Sequence, residues 1–527
     1  MEERSRERRE RFQKMPTPNE IKQHREFFAI ELRKKKRSDH IKKKRATADF
    51  NYTQIPGNFD FPICIVPDIL SSAITNLKNI KLDPMQRLYI LTESILDIKD
   101  HNLINAILYT FSELSKRYEG LPYDCIFHQN QANAFINILR SDDINLQIFA
   151  LGIIVNACTA SYNIVARFKQ CGIFEELTRI IKNIAVPDIV EHAFWVLGNI
   201  ISDRIEDRDE VIKRGLWIDC IENSKSTDDG IRKKCFWVLS NICSCSPLPP
   251  EDICKKIFCA VADGFDSEDK EILIPTLNTS FFLSDNLNDI VSFICRPKYL
   301  KILMNLLNSK DNEILLLVTK IIGNIGGSTD KHSKLLVEFG FLEKAIQLIS
   351  HSNNEVKCEV FYTISNLLAS TEEVAETIIL GPIMPLIIEN ASSQNKKVQF
   401  YALASIYNVS HLKKKNLLRI LIDYNATEIL IKGLDGENIK QQFIVLKTLQ
   451  NVFSFVKDYF DGEKLQEFKI NFADLDGVGK LEDMTNSRDT KVKSEAQGIL
   501  LEHFIQNQEI DMNLGLQNRP TSVYAFN

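Results

Sequence analysis

Apolar side chains recur along this chain at a spacing near 3.6 residues, in long segments that few glycines or prolines interrupt, and this predicts a nearly all-helical fold. Within those segments a shorter pattern returns, a run of small or apolar residues ending in asparagine. It reads LGIIVNACTAS (151–161), FWVLGNIISD (194–203), FWVLSNICS (236–244), KIIGNIGGS (320–328), FYTISNLLAS (361–370), LASIYNVSH (403–411) and LKTLQNVFS (446–454). With Phe282 of TSFFLSDN standing at the missing step, Asn156, Asn199, Asn241, Asn324, Asn366, Asn408 and Asn451 are separated by 43, 42, 41, 42, 42, 42 and 43 residues.

A period of about 42 lies in the range of armadillo-type helical repeats. A second landmark accompanies it: Gly172, Gly215, Gly340 and Gly381 each end one helix just before an apolar residue opens the next, which predicts a left-handed turn at each glycine. One such unit cannot bury its own apolar face, so the units must stack. The expected architecture is an all-α armadillo-repeat right-handed superhelical solenoid of about nine or ten repeats over residues 67–505. The outermost repeats, around 84–118 and 470–505, depart most from the pattern, as capping repeats do. A linker (46–66) and a C-terminal tail (506–527) flank the array, and a basic arm (1–45) precedes it.

Composition adds little to this until charge is divided along the chain. The 527 residues contain 65 Lys and Arg against 70 Asp and Glu, a net of -5. Residues 1–45 hold 17 basic and 8 acidic side chains, a net of +9, which leaves -14 for residues 46–527. A short basic arm thus precedes a long acidic body, and that asymmetry points to partners. The first residues are charged, with no apolar core of a secretory signal, and no run of about 18 apolar residues suggests a membrane span. The 12 cysteines show no regular pairing and read as reduced thiols.

An asparagine amide carries both donors and an acceptor, so it can satisfy the backbone of an extended peptide whatever its side chains are. One such amide per repeat, at a stacking distance of about 8–10 Å, is commensurate with two or three residues of an extended chain. Four residues earlier, one helical turn away on the same face, Trp195 precedes Asn199 and Trp237 precedes Asn241. An indole there is a wall for the aliphatic stem of lysine, with a cation–π contribution of about 0.5–2 kcal/mol. A single helical asparagine is most often structural; seven in register favour a ladder.

The W-x-x-x-N segments, the acid at Asp203 four residues after Asn199, and the Asp474-Leu-Asp-Gly-Val-Gly-Lys end of the array together resemble importin α, the adaptor family that binds nuclear localisation signals. The arm is similar too, with Glu31-Leu-Arg-Lys-Lys-Lys-Arg37 and Lys42-Lys-Lys-Arg45 matching the family's importin-β-binding segment. The resemblance implies a principal peptide site at Asn156, His192, Trp195, Asn199, Asp203, Lys233, Trp237 and Asn241, with Asp203 receiving the most buried lysine of a signal. It implies a secondary site at Asp285, Lys320, Asn324, Glu359, Tyr362, Asn366 and Asn408. Departures accompany it: Gly152 stands where the family has tryptophan, Ala404 lacks an aromatic, Tyr401 replaces an acid, and Asn278 and Pro275 replace an aromatic and an acid. The principal site is therefore expected to work and the secondary one to be weaker.

Thr17-Pro18-Asn19-Glu20 has the form of a capping box with proline at the first helical position, so a helix is expected from there toward Arg45. By the resemblance, Arg33, Lys34, Lys35, Lys36, Arg37, Lys42, Lys43, Lys44 and Arg45 bind importin-β, and when importin-β is absent they fold back as an autoinhibitory mimic of cargo. A disordered or nucleic-acid-binding tail is the other reading of so basic a segment. The partners expected are basic nuclear-localisation-signal cargo, importin-β and an export receptor with a Ran-type GTPase, with no membrane and no direct nucleic acid. The expected localisation is shuttling between cytoplasm and nucleus. No catalytic residue, cofactor or metal is expected: no nucleophile–base set or phosphate loop is present, and Cys243, Cys245, Cys254 and Cys259 match no zinc pattern. Asp474 and Asp476 open like a calcium loop, but Val478 and Thr485 at its fifth and twelfth positions exclude an EF-hand. Trp217, outside the motif, reads as core. An armadillo scaffold for other extended peptides in adhesion or signalling, or a helical-repeat enzyme regulator, remain the alternatives.

Overall fold

The computed structural model of this protein describes residues 123–505, except 413 and 437, together with scattered positions between 92 and 111. The arm, the linker, most of the first expected repeat and the tail lie outside the described residues.

Among the described residues the chain is helical and has no strand. Each unit of the repeat ends in a long helix, and these are α1 (Ile144–Ala160), α2 (Pro187–Ile201), α3 (Asp229–Cys243), α4 (Lys270–Ser284), α5 (Asn312–Gly326), α6 (Asn354–Leu368), α7 (Lys396–Ser410), α8 (Ile439–Tyr459) and α9 (Thr490–Leu500); all but α4, with Phe282 at that step, and α9 carry the repeat asparagine. Shorter helices, such as Ile205–Lys213 and Leu216–Asn223 before α3, complete each unit. This is the armadillo-type repeat that the 42-residue period predicts. The chain divides into two compact units between Ile290 and Val291. In the first, α2 packs against α1 and α3, and α3 against α4. In the second, α6 packs against α5 and α7, and α8 against α7 and α9.

The cores follow the apolar period. Phe194, Leu197, Val238 and Leu239 are fully or almost fully buried in the first unit, as are Phe361, Ile364, Val409 and Leu446 in the second. Each such side chain contributes about 1.5–3 kcal/mol relative to exposure, and a single repeat has no partner surface that would supply it.

The starts of the long helices repeat as faithfully as their asparagines. Asp143, Asp228, Asp269, Asp311, Asn353, Asn395, Asn438 and Asp489 each accept backbone N–H bonds from the first turn of the helix that follows. Two residues earlier, Ser226, Ser267, Ser309, Ser393 and Ser487 accept the backbone N–H of the capping residue through Oγ. The exception is α2, where Val186 is the cap and Pro187 supplies the pre-set φ of a first helical residue.

Gly172, Gly215 and Gly340 adopt the left-handed turn expected of them, with φ of 91°, 75° and 83°. Gly381 does not, and this corrects the expectation: Pro382, with φ fixed at -69°, precedes the helix Ile383–Asn390 and turns the chain instead. Gly381 is needed for closeness, since a Cβ there would lie 2.8 Å from the Thr377 carbonyl. Asn425 and Asp476, at φ 53° and 62°, occupy the left-handed position in later repeats, as the residue types most tolerant of it after glycine.

Candidate functional site

The asparagines do a structural job that their spacing alone did not reveal. Nδ2 of Asn199 donates to the carbonyl of Val155 at 3.1 Å, and Nδ2 of Asn241 to that of Gly198 at 3.3 Å. In the second unit Asn366 donates to Gly323 at 3.2 Å and Asn408 to Ser365 at 2.7 Å. In these four bonds the acceptor is the residue just before the asparagine of the preceding repeat, whereas Asn451 donates to Ser410 Oγ at 3.1 Å. Because a carbonyl faces the amide, Nδ2 must point at it, which fixes the orientation of the whole group. The inter-repeat bond uses one of two N–H donors and not the oxygen, so the ladder is held in register by the stack itself.

The aromatic one turn earlier lies over the same spot. A Cβ on Gly198 would come within 2.1 Å of the Trp237 ring, and one on Gly323 within 2.9 Å of the Tyr362 ring. The indole of Trp237 and the phenol of Tyr362 thus lie flat against backbone, and glycine is the residue that lets them. Tyr362 differs from the two tryptophans in being 2% exposed.

Around Trp195 the principal site carries charge of both signs. Nζ of Lys234, from the next repeat, lies 3.8 Å from the centre of the Trp195 ring. Burial raises the carboxyl pKa of Glu191, the Lys234 charge opposes that shift, and Asp228, Asp188 and Glu271 add to it. Neither Glu191 nor Lys234 was singled out from the sequence; the signal that could have found them is their offset of one residue from His192 and Lys233. His192 Nδ1 donates to the Asp188 carbonyl at 2.6 Å with its ring 6.2 Å from Trp195, and burial pushes its pKa down, keeping it neutral. Lys233, expected in the peptide site, is held by Asp269 at 2.8 Å and Glu271 at 3.0 Å, which raise its pKa and tie α3 to the start of α4. Asp203 lies exposed just after α2, with Ser202 Oγ 3.5 Å from its carboxylate. Asn156 is half-buried near the end of α1.

The secondary-site residues fall in two units. Asp285, half-exposed after α4, belongs to the first; Lys320, Asn324, Glu359, Tyr362, Asn366 and Asn408 belong to the second. Tyr401 packs edge-on against Tyr362, ring centres 5.7 Å apart, and burial together with the nearby Glu359 charge pushes its phenol far above the ordinary range. Where an acid was expected by resemblance, a second aromatic fills the space beside the first, and Ala404 is buried at 1% exposure.

No protein-family profile matches the chain. Importin subunit alpha-5 of Arabidopsis thaliana is 25% identical over 294 residues, 54% of this chain and 51% of the relative. Importin subunit alpha-3 of the same plant is 23% identical over 336 residues, 63% and 60% of the two chains. An engineered protein solved by crystallography superposes with a TM-score of 0.61 at 18% identity, over 82% of this chain and 98% of its own. This is an armadillo-repeat chain with distant similarity to importin α. It spans about half the length of the curated relatives it matches, and both are named as importin subunits rather than as enzymes. Among the described residues no armadillo helix is long and apolar enough to cross a membrane.

Proposed function

We propose that this protein is a nuclear import adaptor that binds basic, extended peptides along the asparagine ladder of α1–α3. The observation that carries the reading is the conjunction at the principal site of oriented amides, Trp195 and Trp237 at one turn's distance, and a lysine already seated on Trp195 within the charge field of Glu191. The site thus holds a cation against an indole near an acid, which is the chemistry a lysine-rich signal needs. Lys234 is its internal stand-in.

In the same reading the arm, Arg33 to Arg37 and Lys42 to Arg45, engages importin-β and competes for the groove when free. Tethered by a polar linker, such a competitor acts at an effective concentration of about mM. Shuttling between cytoplasm and nucleus, with return by an export receptor and a Ran-type GTPase, completes the proposal. The secondary site, where Tyr401 fills the seat beside Tyr362, contributes little.

Fluorescence anisotropy of a labelled lysine-rich peptide tests this. Deleting residues 1–50 should tighten binding by about an order of magnitude; equal affinities would remove the autoinhibitory role. On the truncated chain a second basic cluster in the peptide should add less than about threefold, and a large gain would show that the secondary site works. Capture of acidic or phosphorylated peptides in place of the basic one would favour a signalling scaffold.

A further inference from the structure

A second candidate binding surface lies outside the ladder, where repeat five departs from its neighbours. After Pro247, Pro249 and Pro250, a single helix, Glu251–Val261, and a short 3-10 turn, Ala262–Asp266, stand in place of the two shorter helices found before α3. The turn sits tight on α3 and α4: a Cβ on Gly264 would lie 2.1 Å from Thr276 Oγ1 and 2.8 Å from the Phe236 ring. Between this element and the helix Leu216–Asn223 a cleft of about 860 Å³ opens. It is reached from a different side of α3 than the ladder, because Arg232 and Phe236 face it while Trp237 and Asn241, about 100° around the helix, carry the ladder.

The cleft has an apolar floor and a basic rim. Trp217, Ile218, Ile221, Phe236 and Ile272 form the floor. Ile218 is 47% exposed there, and Trp217, expected as core, is 8% exposed. Lys225, Arg232, Lys255 and Lys256 face it against a single lining carboxylate, Asp263. Arg232 is paired with Asp229, and Lys255 with Glu251 and Asp289. Among the described residues neither Lys225 nor Lys256 has a carboxylate partner within 4 Å, and the Lys256 ammonium stands 5.7 Å from the Trp217 ring centre. This basic patch lies in a body of net charge -14, so it is a local reversal and no part of a general field.

We infer that the cleft docks an acidic segment of a partner protein that carries apolar anchors one helical turn apart. The anchors cover Ile218 and Trp217, and the flanking carboxylates meet Lys225 and Lys256 in the helix-in-groove manner. The same cations repel a basic cargo peptide. The inference therefore stands independently of what the ladder binds.

The test uses the full chain and a fluorescein-labelled peptide of about 12 residues, rich in Asp and Glu, with Leu and Phe at i and i+4. Saturable binding is expected. A version with both anchors replaced by Ser, at equal charge, should bind at least about tenfold more weakly, and so should the original peptide to Lys225→Glu/Lys256→Glu. Ile218→Ser, at an exposed position that the fold does not depend on, should weaken binding comparably while circular dichroism stays unchanged. Equal binding of the anchored and anchorless peptides, or affinity that survives both sets of substitutions, would overturn the inference and assign the signal to the basic arm or to bulk charge. Absence of saturable binding would overturn it as well.

Discussion

Gly198 shows how much of the site one residue sets. The Trp237 ring lies on its backbone while its carbonyl takes the Asn241 amide, so the aromatic and the amide are positioned together. Gly198→Ala should cost about 1–3 kcal/mol through forced displacement of the ring, measured by urea denaturation. Gly462→Ala, where a Cβ meets nothing within 4 Å, is the matched control expected to be neutral or slightly stabilising. Lys234 gives a prediction of opposite sign. Its ammonium occupies the Trp195 face and repels an incoming lysine, so Lys234→Ala should tighten basic-peptide binding by about two- to tenfold; weaker binding to this variant would make Lys234 part of the site in place of its plug. The sequence made the asparagines and tryptophans legible because they repeat at a fixed offset. It left Glu191 and Lys234 unread because their importance lies in which face of a neighbouring helix they meet, a property of packing that no single-repeat pattern encodes.

At the scale of elements, the long helices are specified twice, by apolar period and by caps. A hydrogen-bonded Ser-x-Asp or Ser-x-Asn start precedes five of the long helices, at Ser226, Ser267, Ser309, Ser393 and Ser487, and it went unread in the sequence because it is interrupted at His351 and Gly436. Turns were legible at Gly172, Gly215 and Gly340, misread at Gly381, and missed where Asn425 and Asp476 adopt the same conformation, since those residue types also serve elsewhere as caps. The joins between elements carry a pH dependence. His332 bridges Ser292 and Ser328 at 3.3 Å each, and burial lowers its pKa from the ordinary 6.5; burial lowers that of His503 too. An unfolded chain takes up protons at these histidines below that pH and the folded chain does not, so stability falls as pH drops below 6.5. Urea midpoints at about pH 7.5 and 5.5 should show this loss, and His332→Gln should reduce the difference between them. An unchanged difference would place the acid sensitivity elsewhere.

For the whole molecule, the fold class was legible because a repeat multiplies weak local signals: one armadillo unit is ambiguous, and seven near-equal intervals are not. The division of the chain between Ile290 and Val291 had no such signal, although the nearby fifth repeat had already lost its asparagine at Phe282 and its regular first helices. Charge acts at this scale as well. A net of +9 in residues 1–45 against -14 in the remainder is what a chain carrying a mimic of its own ligand would show, and it places the account's weight on the principal site. The most direct measurement is calorimetric titration of a lysine-rich peptide into the chain lacking residues 1–50 and into the same chain with Asn199→Ala and Asn241→Ala. Each substitution removes one inter-repeat hydrogen bond, about 0.5–1.5 kcal/mol of stability, so the helices persist by circular dichroism. The account predicts an affinity loss of at least about tenfold with helix content unchanged; equal affinity in a folded double variant would contradict it.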